Sequence, residues 1–355
     1  MKLNPLDVED LRVRVQKHLD AFLGEQVVRL DDIDPDLSPL TDALTALLAG
    51  GKRLRPAFCW WGWRAAGGED TEPAVVAATS LELLQACALV HDDVMDGSDT
   101  RRGMPAAHRR FGSLHRASGW RGADEAFGVG AAILLGDLCL SWADELLTRS
   151  ELAPDALMRG KRVYDLMRTE LMAGQYLDLL EQARAGGTVD SALRVVRFKS
   201  AKYTVERPLH LGIALAGGGP ELMHAATAYG LPLGEAFQLR DDVLGVFGDP
   251  SETGKPAGDD LREGKRTVLV ALALESASPA QAARLRRDLG DPGLTAEGID
   301  GIREVLTETE ALSRVEALIA GLTEEALSAL HAGPFAEPAR SVLADLAVAA
   351  TSRRG

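Results

Sequence analysis

Three aspartates and two arginines fall within the stretch "HDDVMDGSDTRRG", residues 91–103. Asp92 and Asp96 are four apart, so on a helix they stand one turn above the other on one face, with Asp93 beside them. A second acidic pair, Asp241 and Asp242, closes the run "EAFQLRDDVLG". Carboxylates gathered this way repel one another unless cations bridge them. An all-oxygen donor set suits Mg²⁺, which takes one or two carboxylates, several waters and phosphate oxygens, rather than zinc or copper with their His and Cys ligands. A solvated acidic helix end is the other explanation for such a run. The residues just before the first cluster, "LLQACALV", are apolar all round, which points instead to a buried helix, where three aspartates are costly.

Cations stand at breaks in the same pattern. Arg101 and Arg102 follow the first carboxylates, and "GGKRLRP" supplies Lys52, Arg53 and Arg55. Further on come Lys199 and Lys202 in "RFKSAKYTVERP", Lys255 in "TGKPAG" and Lys265 in "EGKRT". Each alone reads as a solvated surface cation; together they suggest anion binding at one site. Guanidinium forks fit phosphate oxygens bidentately, and lysines act as point charges. A diphosphate meeting the bare aspartates would be repelled by about 4 kcal/mol per charge pair at ~4 Å. Metals are therefore obligatory: aspartates hold Mg²⁺, Mg²⁺ holds a diphosphate, and arginines take the remaining oxygens.

The elements that must position these groups are helices. Apolar residues recur at three- and four-residue steps over 11–30, 39–50, 74–96, 128–150, 155–185 and 221–247. No alternating segments joined by hairpin turns stand out, so the expected fold class is all-α. Breaks fall at 65–73, 114–128 and 248–266, and helical pattern resumes after each, so residues 1–355 read as a single domain. The two longer breaks are candidate lids. Hydrophobic residues make up 46% and aromatics 5%, the core composition of an Ala/Leu/Val helical protein. The formal net charge of −14 argues against nucleic-acid binding, which needs clustered cations. Cys59, Cys87 and Cys139 are too far apart for a zinc site and read as buried thiols of a reducing compartment. No secretory leader is evident and no charge-free run approaches a membrane span, so a soluble cytoplasmic protein without stable membrane insertion is expected.

With "GGKRLRP", "HDDVMDGSDTRRG", "GQYLD", "KSAKYT", "FQLRDD" and "GKPAGDDLREGKRT" in this order, the chain resembles the trans-isoprenyl diphosphate synthases, or polyprenyl synthetases, over about residues 40–270. The resemblance implies a single-domain bundle of long antiparallel helices around a deep central cavity, in a homodimer. It implies Mg²⁺-dependent head-to-tail condensation of isopentenyl diphosphate with allylic diphosphates (dimethylallyl, geranyl or farnesyl), with three Mg²⁺ ions per site. By the same resemblance Asp92 and Asp96 bind two metals and Asp241 the third, and Asp93 and Asp242 orient or share their waters. Arg101, Lys199 and Lys255 hold the allylic diphosphate; Lys52, Arg55, Arg102 and Gln85 hold isopentenyl diphosphate. Ser200 and Gln238 lie by the nascent cation, Gln175 and Asp178 line the same floor, and Lys265 helps close the late loop.

Three departures from the family pattern stand out: Gly245 where a third aspartate is common, Gln85 where many members have histidine, and Ser200 for threonine. Product length should be set along the helix ending at Asp92. Short-chain members place aromatics one turn earlier; this chain has Cys87 and Ala88, with Leu84, Leu81 or a facing helix as the next barrier. Geranylgeranyl diphosphate (C20) is the expected product, unless the small residues serve only helix packing. A class I terpene cyclase would lack the isopentenyl cations, and a non-catalytic regulatory subunit would lose metal carboxylates. A phosphohydrolase built on His91–Asp92 would need more metal-binding histidines.

Overall fold

Apolar residues at helical spacing bury one stripe each, and a chain of such stripes packs helix on helix. A computed structural model describes residues 4–184, 187–248 and 258–351. Its helices are α1 (Leu11–Asp31), α2 (Ser38–Leu48), α3 (Leu54–Ala65), α4 (Glu72–Asp96), α5 (Ala107–Ala117), α6 (Asp124–Thr148), α7 (Pro154–Arg184) and α8 (Val189–Val195). A π-helical stretch, Val196–Glu206, runs into α9 (Arg207–Ala216), and α10 (Pro220–Phe247) follows. The remainder are α11 (Asp259–Arg262), α12 (Val268–Ser276), α13 (Pro279–Asp288), α14 (Ala296–Glu308), α15 (Ala311–Ala332) and α16 (Ala339–Thr351). The fold is all-α.

Contacts divide the chain into two compact units: Met1–Trp60 with Glu69–Leu157, and Trp61–Gly68 with Met158–Gly355. In the first, α4 packs along α6, and α5 lies on α6. Along α4 nearly every residue from Ala74 to Leu84 is buried, as the apolar run before the aspartates requires. Trp60 is buried there too, its indole Nε1 donating to Glu9 at 2.9 Å. In the second unit α10 packs along α15 and the π-helical stretch. Its core joins Leu239, Val243 and Val246 to Leu272, Ile302 and Val315.

Two expectations need correction. Most of the 114–128 break is helical: α5 runs to Ala117 and α6 begins at Asp124, leaving only 118–123 as a connection. Phe111, Gly112 and His115 give α5 a buried stripe against α6, strong enough to carry helix into a segment rich in Gly and Arg. The chain also contains one small hairpin, β1 (Thr100–Arg101) with β2 (Met104–Pro105), pairing Arg101 with Met104. Its two loop residues, Arg102 and Gly103, have φ of 54° and 74°, the positive values that a tight two-residue hairpin demands. All three cysteines are free and buried, as expected. Two helices, α4 and α6, are long and apolar enough to cross a membrane; most of that window in α4 is buried, and less than half of it in α6.

Candidate active site

The first acidic cluster sits where α4 stops. Gly97, at φ 68°, takes the left-handed conformation that ends a helix, and the Ser98 amide closes on the Asp93 carbonyl at 3.0 Å. Asp92 and Asp96 are half-buried on one face, as their spacing predicts, while Asp93 is buried. The hairpin folds Arg101 back over them. Its Nε donates to Asp93 Oδ1 at 2.8 Å, its Nη2 reaches the same oxygen, and Nη2 lies 3.5 Å from Asp92 Oδ2. Arg101 thereby neutralises the buried member of the cluster.

Arg102 points the other way. Its Nη1 donates to the carbonyls of Leu47 and Gly50, both at 2.6 Å, fastening the hairpin to the end of α2. Burial lowers its proton affinity; Arg53, Arg101 and Arg55 add to that effect and Glu82 opposes it. The guanidinium groups of Arg53, Arg101 and Arg55 are thus within electrostatic reach of Arg102. Arg53 is not a solvated cation. It is buried, paired with the buried Glu82, and bonded to Gln16 Oε1 at 2.5 Å and to the Leu48 carbonyl. Lys52 is exposed and Arg55 half-buried in the same "GGKRLRP" segment.

Along α4, Gln85, Ala88, Asp92 and Asp96 follow one another at three- and four-residue steps, and none is fully buried. Leu84 and Cys87 lie in the packed interior. Cys87 turns toward α6: its sulfur meets His91 Nδ1 at 3.7 Å, and burial, with Asp137 adding, pushes the thiol up to about 12. Of the two small residues read from the sequence, Ala88 is the one that shares the aspartate face.

The second unit carries the other motifs. The π-helical stretch presents Lys199 and Ser200. Lys199 Nζ is 2.5 Å from Asp178 Oδ2, on α7 one turn beyond Gln175. The Ser200 hydroxyl donates to Gln238 Oε1, and Gln238 Nε2 donates to Asp242 Oδ1 at 2.8 Å. Residues 38 apart in sequence thus form one chain of hydrogen bonds ending on the second acidic pair. Burial pushes the Asp242 carboxyl up to about 7; the Gln238 bond opposes this, Asp260 and Asp241 add to it, and Lys265 opposes it. Lys265 is paired with Asp260 at 3.1 Å and Glu263 at 2.7 Å. Lys255 lies outside the described residues. Lys202 joins Glu170 at 3.3 Å and Glu206 at 3.1 Å in a structural network.

The donor sets fit Mg²⁺. Both clusters offer carboxylate oxygens only, and the burial and neighbouring negative charge that raise the Asp242 carboxyl are a penalty that a divalent cation reverses. Among the described residues no three His, Cys, Asp or Glu side chains gather into a cage. Mg²⁺ needs none, since it takes one or two carboxylates and leaves the rest to water and phosphate. Sequence reading missed Asp260, the Arg53–Glu82 pair and the π-helical turn. The "DDLREGK" run carried a signal for the first; nothing in the spacing carried the other two.

The polyprenyl synthetase family pattern matches residues 38–305. A geranylgeranyl diphosphate synthase from Methanosarcina mazei is 32% identical over 90% of this chain and 89% of that protein. A geranylfarnesyl diphosphate synthase from Aeropyrum pernix is 30% identical over 86% of this chain and 90% of that protein. Among solved structures, the geranylgeranyl pyrophosphate synthase of Corynebacterium glutamicum, complexed with isoprenyl diphosphate and magnesium, is 44% identical. It covers all of both chains with a TM-score of 0.93. With both aspartate motifs at helix ends, and with a match running through each unit, the chain belongs to the polyprenyl synthetase family of trans-prenyltransferases.

Proposed function

We propose that the protein condenses isopentenyl diphosphate head-to-tail with dimethylallyl, geranyl and farnesyl diphosphate, and that its main product is geranylgeranyl diphosphate (C20). The observation that carries this reading is the end of α4, where Arg101 pairs with Asp93 and lies 3.5 Å from Asp92, with Asp96 one turn further along the same face. Asp92, Asp96 and Asp241 would hold three Mg²⁺ ions, with Asp93 and Asp242 steadying their waters. Bound Mg²⁺ supplies charge neutralisation of the diphosphate leaving group.

The chain's own residues do the rest. Lys199, Arg101 and Lys255 take the allylic diphosphate oxygens, and Lys52, Arg55, Arg102 and Gln85 take those of isopentenyl diphosphate. The allylic C–O bond breaks with its electron pair leaving on diphosphate. The isopentenyl double bond then attacks the allylic carbon, and the departing diphosphate accepts the proton released. Ser200 and Gln238 present oxygens to the positive charge that develops, held in place by the bond to Asp242. Gln175 and Asp178 line the same floor, Asp178 pairing with Lys199, and Lys265 helps close the late loop over the site.

Ala88 on the aspartate face supports a product longer than C15. Relatives named as geranylgeranyl and geranylfarnesyl synthases keep C20 and C25 as the neighbouring outcomes. We also read the chain as one functional domain working as a cytoplasmic homodimer. The exposed Phe127, Ile133 and Leu134 of the apolar helix α6 support a second copy as their cover.

The test is a product assay with isopentenyl diphosphate and each primer, in Mg²⁺ or in EDTA, read by mass spectrometry. A C20 product lost in EDTA is expected, from a species of twice 37.8 kDa by light scattering. Folded protein that elongates no primer would overturn the proposal.

A further inference from the structure

The π-helical stretch Val196–Glu206 closes on a backbone bond from the Arg207 amide to the Lys202 carbonyl, five residues back. The side chains of these same two residues meet on one carboxylate. Glu170 of α7 accepts from Arg207 Nε at 2.6 Å and from Arg207 Nη2 at 2.8 Å, and the Lys202 ammonium lies 3.3 Å from Glu170 Oε1. Around an ordinary α-helix, residues five apart point about 140° away from each other. A wide turn brings them back into line, so that both reach one acceptor. We propose that Glu170 is a positioning residue for the condensation: by holding Lys202 and Arg207 together it selects the π register, and the register decides where Lys199 and Ser200 point.

Glu170, Gly174 and Asp178 are four apart, on one face of α7. Asp178 takes Lys199 at 2.5 Å, Gly174 lies against the Lys199 backbone, and Glu170 takes the far end of the turn. Were the turn to close into α-helix, the chain would slip by one residue and rotate Lys199 and Ser200 by about 100° against the residues beyond it. Lys199 would then leave Asp178, and Ser200 would leave Gln238. The clamp is enclosed as well as charged, for the side chains of Glu170, Lys202 and Arg207 are each no more than 14% exposed. Burial works to raise the Glu170 carboxyl, but the Arg207 hydrogen bonds and the charges of Arg207 and Lys202 outweigh it and hold the group below its usual range. The Lys202 ammonium also stands over the Phe198 ring, 5.6 Å from its centre. Glu206 faces Lys202 at 3.1 Å and Arg207 at 3.8 Å, but it lies within the stretch and moves with it. Glu170 belongs to another helix and can fix the turn from outside.

The inference rests on the prenyl-transfer reading of Lys199 and Ser200, and the experiment separates the two. kcat and KM for geranyl and isopentenyl diphosphate are measured on the full chain carrying E170Q, K202M, K202R or E170Q/K202M, each below its melting temperature. Hydrogen exchange of residues 196–206 is followed by mass spectrometry in the same proteins. E170Q and K202M should each lower kcat and raise KM for geranyl diphosphate about tenfold. KM for isopentenyl diphosphate should stay within about twofold, since the cations assigned to it belong to the other compact unit. K202R keeps the charge and should recover most of what K202M loses, and the double variant should be no worse than the worse single. Exchange over 196–206 should quicken at least about tenfold in E170Q, with α10 and α15 unchanged. A lower melting temperature with native kinetics would mean a merely structural clamp and overturn the inference, as would an equal rise in both KM values. A wild type that elongates no primer would overturn the prenyl-transfer reading; the exchange then still decides the register, and unchanged exchange in E170Q would overturn it.

Discussion

Gly174 of α7 stands so close to Lys199 that a Cβ on it would overlap the Lys199 backbone nitrogen. On the opposite side, a Cβ on Gly234 of α10 would come within 2.5 Å of the Ala201 carbonyl oxygen. The π-helical stretch is therefore gripped between two helices by backbone contact, and the grip is what brings Lys199 to Asp178 and Ser200 to Gln238. Wide turns of this kind are uncommon and gather at functional sites.

G174A should move that stretch, because the neighbour it meets is backbone and has no rotamer to change. We expect a loss of about 1–3 kcal/mol in unfolding free energy. Turnover should fall at least about tenfold, since Lys199 and Ser200 shift together. Urea unfolding and steady-state kinetics measure the two effects. Native turnover in G174A would show that the close approach does not position these side chains.

Arg53 and Glu82 make a different point: a cation in a motif that reads as substrate-binding can be wholly structural. Both side chains are about 5% exposed, and the pair ties the "GGKRLRP" segment to α4. R53M leaves a carboxylate buried without its counter-charge and should cost about 3–5 kcal/mol. The double variant R53M/E82L removes both charges and should recover most of that loss. Denaturation of the two singles and the double decides it; additive losses would mean the pair does not act as a unit.

Much of this was legible in the sequence, and what was not has physical causes. The long helices follow from apolar period alone, so α1, α2, α4, α7 and α10 fall within a few residues of expectation. Ser200 and Gln238 read from the sequence only as sharing a neighbourhood, because their bond joins residues 38 apart on different elements. A π turn hardly alters the apolar period, so nothing in the spacing sets Val196–Glu206 apart. The hairpin at 100–105 is too short to show alternation, and one of its positive-φ residues is an arginine. Arg53 reads as solvated because its partner lies 29 residues away on another helix.

His210 should make stability depend on pH in a definite direction. Arg207 Nη1 donates to His210 Nδ1 at 2.9 Å, and a guanidinium cannot accept, so this nitrogen carries no proton. Nε2 faces the Met223 carbonyl at 3.2 Å and the Thr227 hydroxyl at 3.0 Å. Burial pushes the imidazole down to about 4, with Glu206 opposing and Arg207 and Lys202 contributing. The unfolded chain takes up this proton near the ordinary 6.5 and the folded chain does not. The stabilising effect of the neutral ring is therefore present above about pH 6.5 and drains away as pH falls toward 4, by on the order of 3 kcal/mol. H210Q keeps an amide donor and loses the titration, so its unfolding free energy should fall less than wild type over that interval. Parallel curves would mean that His210 is protonated in the folded protein or takes no proton in either state.

Ala88 is where product length should respond. It lies on the aspartate face of α4 one turn before Asp92, a rise of about 5.4 Å, comparable to one extended isoprene unit. Cys87, at 3% exposure, faces α6 and His91 instead. The two positions read alike in the sequence and should now behave differently. A88F should place a ring on the aspartate face and shift the main product from C20 to C15, with folding preserved. C87F would force a ring into a packed helix interface and cost about 1–3 kcal/mol before it affected chain length. Products of both variants by mass spectrometry, with melting temperatures alongside, separate the two roles. An A88F enzyme that still released C20 would move the floor to another part of the molecule, and a stable C87F enzyme stopping at C15 would exchange the two assignments.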